Sequence, residues 1–147
     1  MPLFWRLTST RRASWLAFGL VTLNVLACGS PAPEATVHFD LVEAREKWGH
    51  SDVALIRLEQ LYPLPASALQ EALGRYSPQA EIVWVQEEPQ NMGAWRFVRE
   101  GFLDGNVETG GRTLAYVGRA PSASPASGSL KVHLTEQAKL VRQALQP

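Results

Sequence analysis

The chain of 147 residues is 46% apolar and 19% charged, with 14 basic against 14 acidic side chains. These are the proportions of one globular domain rather than of a disordered chain. Balanced charge, with no Lys/Arg cluster beside aromatic residues on a common face, excludes the electrostatic footprint of a nucleic-acid binder. The single cysteine, Cys28, excludes an internal disulfide framework and any zinc site built from several thiolates. The histidines, His38, His50 and His133, are too scattered for a metal cluster by themselves and are expected at the surface or as caps.

Arg6, Arg11 and Arg12 precede an uncharged stretch over residues 13–27, and no acidic residue occurs before Glu34. That is the order of a secretory signal. The apolar run is shorter than the roughly 20 residues that cross a bilayer comfortably, which favours a cleaved signal over a permanent span. "VLAC", residues 25–28, resembles the lipobox of bacterial lipoproteins, although Leu26 is a less usual residue at its position. Lipidation of Cys28 would make the chain a membrane-anchored lipoprotein, with "GSPAPEAT" as a tether. Alternatively "TLNVLACGS" is a buried first strand, because a short apolar run does not announce which role it serves. The chain therefore divides into a signal-like or unrelated extension over residues 1–33, with residues 22–28 as a candidate first strand, and a domain over residues 34–147.

Within that domain, "VHFDLVEAREKWG" sets Val37, Leu41, Ala44 and Trp48 on one face at helical spacing and ends at Gly49. The apolar run over residues 53–58 is too short for a helix and is closed by Pro63 and Pro65, which predicts a strand and a turn. "ASALQEALGRY" predicts a helix with Ala66, Leu69, Ala72 and Leu73 facing the core. "AEIVWVQ" is nearly continuous in apolar character, as expected of a parallel strand covered on both faces. After the "EEP" corner, "NMGAWRFVREGFL" predicts a third helix with Asn91 as its cap and Trp95, Val98 and Phe102 inward. "RTLAYVG" predicts another strand, and a small-residue loop then leads to a last helix, "KVHLTEQAKLVRQAL". This alternation predicts an α/β domain of three layers, with a mostly parallel sheet and right-handed crossovers.

In such a sheet, ligands and partner chains dock at the loops leaving the carboxyl ends of the strands. Three corners qualify: "EQLYPLP" with Glu59 and Gln60, "QEEPQNMG", and "GRAPSASPASGS". Glu87 and Glu88 are adjacent, so on extended backbone they point to opposite faces. A general acid/base pair needs two carboxylates converging on one site. The expectation is that one glutamate caps a neighbouring helix or pairs with an arginine while the other faces a docking surface. The loop carrying Arg119, Ser122, Ser124, Gly128 and Ser129 precedes a helix, and its backbone N–H groups could meet a phosphate or carboxylate. The alternative is a rigid loop packed against a neighbouring subunit or domain. No P-loop, dinucleotide fingerprint or GxSxG elbow occurs. Glu87, Glu88, Asn91, Arg119, Ser122, Ser124, Gly128 and Ser129 are thus candidates for an interface or anion loop, and Cys28 for lipidation. No residue is assigned to catalysis, a cofactor or a metal.

"DVALIRLEQLYPLP", "VWVQEEPQNMGAW" and "YVGRAPSASPASGSLKVHLTEQ" together resemble, in order and spacing, the C-terminal domain of the thiamine-diphosphate-dependent decarboxylating subunit of the 2-oxoglutarate dehydrogenase complex. The resemblance runs from about Val37 to the end of the chain. More distantly, the strand followed by "EE" looks like the corner of transketolase-type C-terminal domains. In that family the complete subunit decarboxylates 2-oxoglutarate in the citric acid cycle and passes a succinyl group to a lipoyl domain. Thiamine diphosphate, magnesium and most substrate contacts lie on preceding domains, while the C-terminal domain supports the dimer and the active-site surroundings. The resemblance therefore implies a cytoplasmic chain that binds neither thiamine nor metal alone and is inactive by itself. Its implied partners are the remaining domains of such a dehydrogenase, or a second copy. "VLACGS…VHFDL" also looks like the family's "VxxCSGKVYYDL" segment with "PAPEAT" in place of the lysine, which implies that residues before about Thr22 are unrelated sequence fused upstream. Three readings follow: a detached C-terminal domain, a lipid-anchored envelope binding module reusing the fold, and a trans-acting partner of an incomplete thiamine enzyme. Apolar surface that would meet the rest of an enzyme should make such a domain sticky or oligomeric.

Overall fold

The computed structural model describes residues 36–146 together with the backbone of a short segment at residues 4–6. Cys28, the signal-like stretch and the candidate strand over residues 22–28 lie outside the described residues. The sheet is centred on β2, Ile82–Pro89, with β1, Phe4–Arg6, on one side and β3, Leu114–Arg119, on the other. β2 and β3 run parallel, with Trp84 opposite Tyr116. β1 pairs antiparallel, with Trp5 opposite Trp84. The described sheet is thus one parallel and one antiparallel pair, rather than parallel throughout.

β2 forms because β-branched and aromatic side chains suit a pleated surface that is buried on both sides. Its alternation divides the core in two. Ile82 and Trp84 face one layer, where they meet Leu69 and Leu73 of α2, Ala66–Gly74, and Val98 of α3, Trp95–Leu103. Val83 and Val85 face the other, against Val37 and Leu41 of α1, Thr36–Trp48, and Leu140 and Ala144 of α4, Leu130–Leu145. Each fully buried leucine in these layers is worth about 2 kcal/mol relative to exposure. The result is an α/β arrangement with helices on both faces of a small sheet. No helix among the described residues is long and apolar enough to cross a membrane.

The helices largely follow the predicted periodicities, with four corrections to the expected elements and burial. α1 buries Val37, Leu41 and Ala44 and stops at Gly49, whose φ of 72° suits a residue without Cβ. Trp48 is 37% exposed and lies edge-on to His50 instead of joining the core. The expected strand over residues 53–58 has isolated bridges at Val53 and Leu58 but no continuous ladder. It still alternates like a strand, sending Ala54, Ile56 and Leu58 to one core layer and Val53 and Leu55 to the other. Asn91 does not cap α3, which begins after Ala94 with no side-chain capping bond. His38, expected at the surface, is buried. Burial, and then the charge of Arg57, hold its imidazole below the ordinary range.

Candidate functional site at the carboxyl end of the sheet

The "QEEP" corner is a bulge. Val85 pairs with Val117 and the next pair is Pro89 with Arg119. Gln86, Glu87 and Glu88 therefore face Gly118 alone, and extra residues of this kind bend a strand and re-aim its side chains. Pro89, which has no N–H to give to a ladder, ends the strand where such a residue is tolerated.

Gln86 holds the bulge in shape. Its side chain is 1% exposed, and its Oε1 accepts from the indole Nε1 of Trp84 at 2.9 Å and from the backbone N–H of Trp95 at 3.0 Å. Its Nε2 donates to the carbonyls of Glu88, Pro89 and Met92 at 3.2, 3.2 and 2.9 Å. One amide thus joins the strand end, the turn after it and the start of α3. The sequence did carry a signal for this: Gln86 is a polar residue in register with Ile82 and Trp84 on an apolar face.

The two glutamates take different partners. Glu87 turns toward α1 and α4. Its Oε1 accepts the backbone N–H of Val37 at 2.7 Å and the amide of Gln137 at 2.9 Å, and the same Gln137 nitrogen reaches Asp40 Oδ2 at 2.9 Å. The Val37 N–H is one of the first four of α1, which have no partner within the helix, and a carboxylate there also suits the helix dipole. Glu87 therefore caps α1 from the sheet. Replacing Glu87→Gln is expected to cost about 1 kcal/mol in chemical denaturation, since the acceptor remains and its charge is lost. Glu88 has a different neighbour, since a Cβ added at Gly93 would lie 3.1 Å from its Oε2, but it reaches the same cavity as Glu87.

Asn91 joins this corner to the loop after β3. It donates to the Ser122 carbonyl and accepts the Ser122 N–H, both at 2.9 Å. Ser122 Oγ accepts the Ser124 N–H at 3.1 Å, and Ser124 Oγ donates to the Ala126 carbonyl at 2.8 Å. Arg119 pairs with Glu136 at 2.9 Å and donates to the Pro125 carbonyl at 3.2 Å. Gly128 has open space around it. Ser129 stands at the N-cap of α4 without a side-chain capping bond. Tyr116 closes the corner from β3, donating to the carbonyls of Glu88 and Arg119 at 3.3 Å. Burial pushes its phenol up to about 12, against a lowering bond with Gln86. Because this proton is held more tightly in the folded chain, its stabilising contribution is complete below about pH 10 and is lost as pH rises toward 12. Ultraviolet difference titration should show Tyr116 ionising late.

Glu87, Glu88 and Arg119 line a cavity of about 350 Å³ together with Leu130, His133 and Glu136. Of the sequence candidates, the structure gathers these three at the cavity, ties Asn91 to Ser122, and leaves Gly128 and Ser129 outside its wall. Three carboxylates against one guanidinium, itself paired with Glu136, make a wall that repels a diphosphate. Among the described residues no three His, Cys, Asp or Glu side chains are placed to hold a metal ion. Glu136, Gln137, His133 and Gln86 were missed as site residues by sequence reasoning, because their roles depend on how α4 and α3 pack.

The profile of the family described as "2-oxoglutarate dehydrogenase C-terminal" matches residues 34–145. Over 112 residues the chain is 46% identical to the 2-oxoglutarate dehydrogenase E1 components of Brucella anthropi, Brucella ovis and Brucella canis. The similarity covers 74% of this chain and 11% of each relative. The chain thus spans about a tenth of the length of the relatives it matches. On a match across most of its length, this chain belongs to the 2-oxoglutarate dehydrogenase C-terminal family.

Proposed function

We propose that the chain acts as the C-terminal domain of a 2-oxoglutarate dehydrogenase E1 component. In this reading it is a transketolase-type C-terminal domain that supports the dimer and the surroundings of an active site built on other domains. The observation that carries the reading is the 46% identity to E1 components over 112 residues. The corner geometry supports it physically. Glu87, Asn91 and Arg119 are occupied in capping, clamping and ion pairing, so they shape a surface rather than offer a free acid or base. On this reading the chain works in the cytoplasm, in the citric acid cycle, and thiamine diphosphate and magnesium are held by the partner domains.

The test is restoration of activity. The E1 component of Brucella canis, shortened by the segment this chain resembles, is mixed with the purified 147-residue chain and assayed for 2-oxoglutarate decarboxylation. Recovery of activity that neither partner shows alone is expected. Decarboxylation by the chain alone would overturn the reading, as would failure of the mixture.

A further inference from the structure

α4 is only half seated. Its last turns bury Leu140, Val141, Ala144 and Leu145 against α1 and the sheet. None of residues 130–139 is buried. At 1.5 Å per residue, about 15 Å of helix is therefore held against the end of the sheet by polar contacts, Glu136 to Arg119 and Gln137 to Glu87 and Asp40, rather than by buried apolar side chains. Leu130, Leu134, Ala138, Val141 and Leu145 fall within about 80° of helical arc, so they form one stripe. That stripe is core at Val141 and Leu145, and it continues uncovered at Leu130, 73% exposed, and Leu134, 59% exposed.

Leu130 also lines the cavity beside Glu87, Glu88 and Glu136, so the uncovered stripe and the acidic wall form one continuous surface. An apolar stripe rimmed by charge is the composition of an interface.

We propose that the exposed apolar stripe on this half of α4, with the acidic cavity beside it, is the surface on which the preceding part of the E1 component docks. The proposal rests on the functional reading above and deepens it by naming the face. Two observations choose the occupant. The relatives extend far beyond the 11% of their length that this chain matches, which supplies a large partner surface absent from the chain. A second copy meeting the stripe about a two-fold axis would bring the wall of Glu87, Glu88 and Glu136 against its own equivalent, like charge on like. The occupant therefore presents apolar side chains to Leu130 and Leu134 and a lysine or arginine to Glu88.

The test measures the affinity of the full chain for the shortened Brucella canis E1 component by calorimetry. Leu134→Glu and Leu130→Glu are each expected to weaken association roughly tenfold or more. Leu103→Glu, at a side chain 69% exposed on α3 across the sheet, should leave it unchanged. Leu134→Ser serves as a second, milder variant, and thermal melts confirm that every protein compared is folded. Unaltered affinity for folded Leu134→Glu and Leu134→Ser, with the native chain binding, overturns this face and leaves the functional reading standing. No association by the native chain overturns both. A dimer of the chain alone that Leu134→Glu dissolves would make a second copy the occupant and overturn the choice of partner.

Discussion

Replacing Gln86→Ala is expected to lower the stability of the chain by about 4 kcal/mol. The five bonds of this amide do not count equally. The Glu88 carbonyl also accepts from Tyr116, and the Pro89 carbonyl from the Met92 N–H at 2.8 Å, so both keep a partner when the amide is removed. The indole N–H of Trp84, which is fully buried, and the backbone N–H of Trp95 lose their shared acceptor. An unsatisfied buried donor costs about 1–3 kcal/mol, and the small void left by the side chain adds to that. For a domain of this size the melting temperature should fall by roughly 15 °C. Gln86→Glu separates shape from charge. It keeps the acceptor, but desolvation raises the pKa of the new carboxyl in the folded chain, so this variant should be more stable at pH 5 than at pH 8. A loss below about 1 kcal/mol for Gln86→Ala would show that water replaces the amide and that the corner does not depend on it.

Gly118→Ala is the second large effect, at about 3 kcal/mol. The added methyl would lie 2.6 Å from Tyr116 Cζ and 2.9 Å from the backbone carbonyl oxygen of Gln86. A flexible neighbour would yield cheaply, but neither of these is one. Tyr116 is held by its two carbonyl acceptors and by Trp95, whose ring centroid is 5.0 Å away. The Gln86 carbonyl belongs to the bulged strand itself. A melting temperature lower by roughly 10 °C is expected. A variant melting with the native chain would mean that the bulge opens without penalty. The two substitutions share partners, so their effects should fall short of additive when combined.

Local chemistry was legible because it has a period. The unbroken apolar run "IVWV" reports a strand buried on both faces, and the spacing of Val37, Leu41 and Ala44 reports one face of a helix. Adjacency predicts opposite sides for Glu87 and Glu88, yet both line one cavity, because they lie in a bulge that re-aims side chains. The run over residues 53–58 shows where this logic ends. Its length and apolar character predict a strand, but a ladder also needs a partner at the right register, which no residue within the run can specify. Asn91 illustrates the same limit. Its type and position suit a helix cap, yet its amide meets Ser122, 31 residues away, because packing brings the loop after β3 against the turn after β2.

The sequence by itself determined the class of the domain, the identity of its helices, the two-sided burial of β2 and the family to which the chain belongs, since all of these rest on local pattern or on ordered motifs. Only the tertiary structure decided the bulge opposite Gly118, the Gln86 junction, the capping of α1 by Glu87 from 50 residues away and the exposure of the first half of α4. The physical reason is that periodicity states which face of an element is apolar. Where that face ends up, in the core or beyond its edge, depends on the lengths and offsets with which the layers pack.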